Sequence, residues 1–70
     1  MSKLYEWVIK SRGDNIPQNA VYAGTTKADG HVYIGRFRNT PGKVNLENGK
    51  LYNFWVESHG SQKDGEILIT

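Results

Sequence analysis

The stretch Lys43-Val44-Asn45-Leu46-Glu47-Asn48-Gly49-Lys50-Leu51-Tyr52-Asn53-Phe54-Trp55-Val56 decides the fold class. Asn-Gly at its centre is the strongest short-range signal for a two-residue type I′ hairpin, because both central residues must adopt positive φ. The flanks, 43–46 and 51–56, carry the apolar and aromatic side chains of paired strands. Phe54, Trp55 and Val56 are consecutive, so they point to both faces of their strand, and one of them meets either a partner or solvent.

Outward from this hairpin, almost every segment speaks for β structure. Residues 4–9 alternate, with Tyr5, Trp7 and Ile9 on one face and Leu4, Glu6 and Val8 on the other. Gly13-Asp14-Asn15 is a turn cluster, and Ile16-Pro17 forces an extended approach to a short strand over 20–23. A polar loop over 25–30 leads into 31–37, where Val32 and Ile34 share one face and His31, Tyr33 and Phe37 the other. Tyr33-Ile34-Gly35-Arg36 reads as a strand that stops and turns over a short polar loop. Pro41-Gly42-Lys43 then delivers a lysine as the next strand begins. A second polar loop over 57–65 precedes a last strand over 66–69. No window holds helical periodicity over three turns. The spacing predicts an all-β domain, a small antiparallel sandwich or barrel of about six short strands.

Seventy residues form one domain near the lower limit for a self-sufficient core, and the chain has no cysteine for a disulfide or thiolate metal site. Short strands with open edges and a small core predict completion by a second copy, a homodimer. The formal charge of +2 is mild and scattered, with only Arg36, Arg38 and Lys43 forming a local basic group. No stretch has the apolar character of a signal peptide or of a membrane span. The expectation is a protein without membrane insertion, cytoplasmic or released without a classical signal.

Catalytic chemistry finds little footing. Gly35 and the Gly42-Lys43 pair do not have phosphate-loop spacing, Val44 stands where that motif needs Ser or Thr, and no helix follows. Ser58 and His59 are neighbours on an extended chain and point apart. Two histidines with loop carboxylates are a weak basis for a metal site, and no cofactor is expected. The aromatics Tyr5, Trp7, Tyr22, Tyr33, Phe37, Tyr52, Phe54 and Trp55 serve a core, or a stacking surface for bases or for the apolar face of a sugar. In Pro41-Gly42-Lys43 the lysine is a three-donor cation placed by a stiffened loop, with Asp29 and Thr26 as complementary acceptors for hydroxyl groups. An ordinary solvated turn lysine is the alternative.

Across nearly its whole length the chain resembles one DM9 repeat. The matching residues are Trp7-Val8, Ile16-Pro17-Gln18-Asn19-Ala20-Val21-Tyr22-Ala23-Gly24, Val32-Tyr33-Ile34-Gly35-Arg36, Pro41-Gly42-Lys43-Val44 and Glu66-Ile67-Leu68-Ile69. The resemblance implies a single DM9-type repeat over residues 1–70 and an all-β fold, in a family whose members commonly carry two repeats related by approximate twofold symmetry. Some members are mannose-binding lectins of invertebrate innate immunity, and similar repeats accompany pore-forming modules in natterin-like proteins. In the lectins the sugar is held by an aspartate shortly after Ala-Gly and by the lysine of Pro-Gly-Lys. Lys43 matches the lysine; the aspartate position falls on Thr26, with Asp29 three residues on. The family's Gly-Lys-Glu stretch reads Val56-Glu57-Ser58 here. The resemblance therefore implies a non-enzymatic, homodimeric glycan-binding protein, with Lys43, Asp29, Thr26 and Arg36 as carbohydrate-binding residues. The competing expectation is a small β-barrel that binds single-stranded nucleic acid through aromatics and Arg36, Arg38 and Lys43; a protein-interaction module is a third.

Overall fold

A computed structural model of the chain describes residues 4–28 and 30–70. Seven strands follow one another: β1 (Glu6–Ser11), β2 (Tyr22–Thr26), β3 (Gly30–Phe37), β4 (Thr40–Glu47), β5 (Lys50–Val56), β6 (Gly60–Gln62) and β7 (Asp64–Ile69). They form one antiparallel sheet in the order β1-β7-β3-β4-β5-β6, and β2 pairs with β3 outside that path. The all-β antiparallel expectation holds, with β6 added inside what reads in the sequence as a loop.

Turn chemistry builds this meander. Asn48 and Gly49 adopt φ of 55° and 78° and place Glu47 opposite Lys50, the I′ geometry that Asn-Gly favours. Between β3 and β4 the turn is Arg38-Asn39, with φ of 50° and 66° and Phe37 opposite Thr40. The sequence reading of a longer loop reaching to the lysine is therefore corrected. Two residues suffice to reverse the chain, and Pro41, Gly42 and Lys43 lie within a strand. Residues 57–59 link β5 to β6, ending in Gly60 at φ 70°, a glycine position typical of three-residue hairpin loops.

One edge of β3 is shared. Its first half pairs with β2, while Gly35 and Arg36 pair with Ile67 and Glu66 of β7. Val21 lies at the junction: its N–H donates to the Leu68 carbonyl at 2.9 Å, and its carbonyl accepts from Ile34 N–H at 3.0 Å. The turn after β1 then reaches the far side of the sheet. Gly13 N–H donates to the Leu51 carbonyl at 2.8 Å, Leu51 N–H to the Asp14 carbonyl at 2.9 Å, and Arg12 N–H to the Lys63 carbonyl at 2.7 Å. These bonds satisfy backbone groups that a flat sheet would leave open, and they curl it into a half-barrel.

The concave face holds the core: Val44, Leu51, Phe54 and Ile67, with Val8, Ile16, Ala20, Tyr33 and Ile69 packed against it. Leu51 and Phe54 are three positions apart, so plain alternation would send one of them outward. A bulge resolves the conflict. Leu46 faces Leu51 while Asn45 faces Asn53, so β5 carries one extra residue there and both apolar side chains turn inward.

Three glycines sit on this inner face because a side chain would not fit. A Cβ on Gly35 would stand 2.5 Å from Val44 Cγ2 and 3.1 Å from the Phe54 ring, and one on Gly65 2.9 Å from that ring. On Gly42 it would run into the Trp55 carbonyl oxygen and lie 2.5 Å from Val56 Cγ1. Phe54 and Val56, both wholly buried, occupy the space that these glycines leave.

Candidate functional site

Each inward glycine is followed by an outward charge: Gly35-Arg36, Gly42-Lys43 and Gly65-Glu66. Alternation along the strands gathers these charges on the convex face of the sheet. Lys43 lies mid-strand on β4, opposite Ile34 of β3 and Trp55 of β5, and Trp55 lies opposite Ser61 of β6. Lys43 is half-buried and Trp55 is 49% exposed.

Arg36 stands two residues along β3 from the position facing Lys43. It is opposite Glu66 in the sheet register and grips that carboxylate through Nε to Oε1 at 2.7 Å and Nη2 to Oε2 at 3.3 Å. Its guanidinium also lies 4.3 Å from the centre of the Trp7 ring. The Arg36 hydrogen bond holds the Glu66 carboxyl below the usual glutamate range, against the opposing effect of burial and with a lesser contribution from the Arg36 charge. This bidentate, ring-stacked arginine braces β3, β7 and β1. A depression of about 310 Å³ opens beside it, lined by Ile9, Arg36, Phe37, Arg38, Asp64, Gly65 and Glu66. Lys43 is not part of its wall.

Thr26 occupies the end of β2, exposed, opposite Gly30 of β3. Ile34, which faces Lys43, is four residues farther along β3, and β2 and β4 flank β3 on opposite sides. At strand rise and spacing, Thr26 and Lys43 are roughly 16 Å apart. Asp29 lies outside the described residues. The structure thus brings Lys43 and Arg36 onto one area of the convex face and sets Thr26 apart from them.

Sequence reading missed two groups. One is the cluster beside Thr26, where Tyr22 Oη, Thr25 Oγ1 and His31 Nδ1 share hydrogen bonds; the histidine lies 3.1 Å from each oxygen. Thr25 and His31 are cross-strand partners, a relation fixed by the irregular β2–β3 register and invisible without it. The other is a polar ladder on the convex face. Asn45 Nδ2 donates to Asn53 Oδ1 at 2.7 Å, and Asn53 Nδ2 donates to Ser61 Oγ at 2.7 Å. His59, for its part, packs edge-on against Phe37 with ring centres 5.2 Å apart.

The arrangement offers a convex, mixed aromatic and hydrogen-bonding surface suited to holding a ligand. Comparison with known proteins gives the family: the DM9 repeat model matches residues 1–62. No curated protein and no solved structure matches the chain. The match ends just before β7, the strand whose pairing joins β1 to β3. Covering most of the chain, it supports a carbohydrate-binding, lectin-type module in general, and this chain belongs to the DM9 repeat family.

Proposed function

We propose that the chain is a recognition module for mannose-type glycans, acting as a homodimer and without catalysis. The observation that carries this reading is the family match over residues 1–62, with Lys43 of Pro41-Gly42-Lys43 on the convex face of a rigid strand. Lys43 donates to sugar hydroxyls. Arg36, engaged with Glu66 and Trp7, positions the neighbouring strand rather than reaching for ligand. Within one chain Thr26 is farther from Lys43 than a single sugar ring reaches, so Thr26 serves as an acceptor in the site of the second copy. Strand β1 supports the pairing. It ends the sheet order, and Ile9 on it is 79% exposed, with Leu4 and Tyr5 exposed just before it. The nucleic-acid reading loses support because Arg36, one of its three cations, is already held by a carboxylate.

Calorimetric titration with mannose and a glycan array test the proposal. The expected affinity for a monosaccharide is about millimolar, or roughly 4 kcal/mol, with avidity for clustered glycans from two sites. Absence of binding by the unaltered chain, or equal binding by Lys43→Ala, refutes it. Sedimentation that shows a compact monomer at micromolar concentration refutes the dimer.

A further inference from the structure

We infer that Trp55 is the stacking platform for a hexopyranose ring, with Lys43 donating on one side of it and the Ser61 hydroxyl on the other. This rests on the carbohydrate-binding reading and adds to it two residues, Trp55 and Ser61, and an orientation for the ligand.

Register is the first support. Lys43, Trp55 and Ser61 are direct cross-strand partners on β4, β5 and β6. Adjacent strands are about 4.8 Å apart, so the row spans roughly 10 Å with the indole in its middle. A sugar ring resting its C–H face on the indole has its hydroxyl rim toward both flanking residues.

Exposure is the second. Phe54 and Val56, on either side of Trp55, are fully buried, whereas Trp55 itself is 49% exposed. Core packing therefore does not require an indole at this position, since alternation directs the side chain away from the core. The buried neighbours, and the close approach of the Trp55 carbonyl to Gly42, fix the backbone from which the ring projects. A large aromatic ring on a rigid strand loses little conformational entropy when it binds.

The third is the polarity of the ladder that ends at Ser61. Asn53, a buried polar residue, donates to Ser61 Oγ, so the Ser61 proton is the one that this hydroxyl has to offer outward. Among the described residues, Asn45 Oδ1 at the other end is buried without a hydrogen-bond partner. An unpaired buried carbonyl costs stability. The ladder is thus a poor stability device and an effective way of orienting Ser61.

The experiment combines calorimetry with tryptophan emission, titrating the full chain with the methyl glycosides of mannose, glucose and galactose. Trp7 and Trp55 are its two tryptophans, so Trp7→Phe isolates the emission of Trp55. Should Trp7→Phe unfold, subtracting the emission of Trp55→Phe from that of the unaltered chain gives the same signal. The expected result is a saturable change in Trp55 emission with the midpoint of the calorimetric isotherm. Trp55→Ala weakens binding about tenfold or more, the scale of aromatic stacking, and Ser61→Ala weakens it less. Sugar binding that Trp55→Ala leaves unchanged overturns this inference while the lectin reading stands. Absence of binding to any sugar overturns both. An emission change that follows protein concentration instead of sugar assigns this face to a second copy and overturns the stacking role.

Discussion

The two faces of β3, β4 and β7 are built from the same short stretches of sequence under different physics. On the concave face Gly35, Gly42 and Gly65 give way to Phe54, Val44 and Val56, and no side chain can be added. On the convex face Arg36, Lys43 and Glu66 follow those glycines one residue later. The Gly-charge dipeptide is therefore not a flexible ligand loop. Its glycine answers to packing, and its charged residue serves bracing or binding. This predicts that inner substitutions destroy the fold, and outer ones alter function while sparing it.

The sharpest way to break that division is at Phe54. Phe54→Ala removes a fully buried ring and should cost about 3–5 kcal/mol. A chain of this size holds only about 3.5–10 kcal/mol in total, at roughly 0.05–0.15 kcal/mol per residue. Urea titration followed by tryptophan emission should find the midpoint strongly lowered; a cooperative transition near the wild-type midpoint would end the two-face account. Next come Gly42→Ala and Gly65→Ala, each expected to cost about 1–3 kcal/mol or more through overpacking. A methyl group tolerated at both positions, read from the thermal midpoint, would show that the close approaches relax freely.

On the convex face the expected changes in stability are smaller. Lys43→Ala should abolish measurable mannose binding yet shift unfolding by about 0.5 kcal/mol or less. If it destabilises as much as Gly42→Ala, the lysine belongs to the structure and not to a site. The smallest effect concerns Glu66. Arg36 lowers its folded-state pKa, so the ion pair's contribution is fully present above the ordinary glutamate value. As pH falls from there toward the lowered value, the unfolded chain takes up the proton first and stability declines. Denaturation midpoints between pH 7 and pH 3 should show a shallower decline for Glu66→Gln than for the unaltered chain; identical slopes would remove the bracing role of Arg36.

Much of the fold is legible because its determinants are local. Alternation locates the strand that contains Val32 and Ile34, and Asn48-Gly49 fixes its hairpin through the positive φ that both residues accept. Strand β6 is not legible, since Gly60–Gln62 is short and polar and is held as a strand only by its pairing with β5. The early start of β4 is hidden too: proline and glycine read as loop, yet Arg38 and Asn39 close the turn before them. Of the site, Lys43 is visible through its motif. Arg36 cannot be interpreted from the sequence, because its partners Glu66 and Trp7 arrive from distant strands.

Turn propensity and alternation act over a few residues, so the antiparallel β class, the position of the central hairpin and the family follow from the order of residues alone. Tertiary structure alone decided which residues meet on the convex face. Carried straight back from the Asn48-Gly49 turn, the register would set Lys43 against Phe54. Burying both Leu51 and Phe54 demands the bulge, and the bulge shifts the pairing by one residue, so that Lys43 faces Trp55 and Val44 faces Phe54. The packing needs of the core thus place the lysine and the tryptophan side by side.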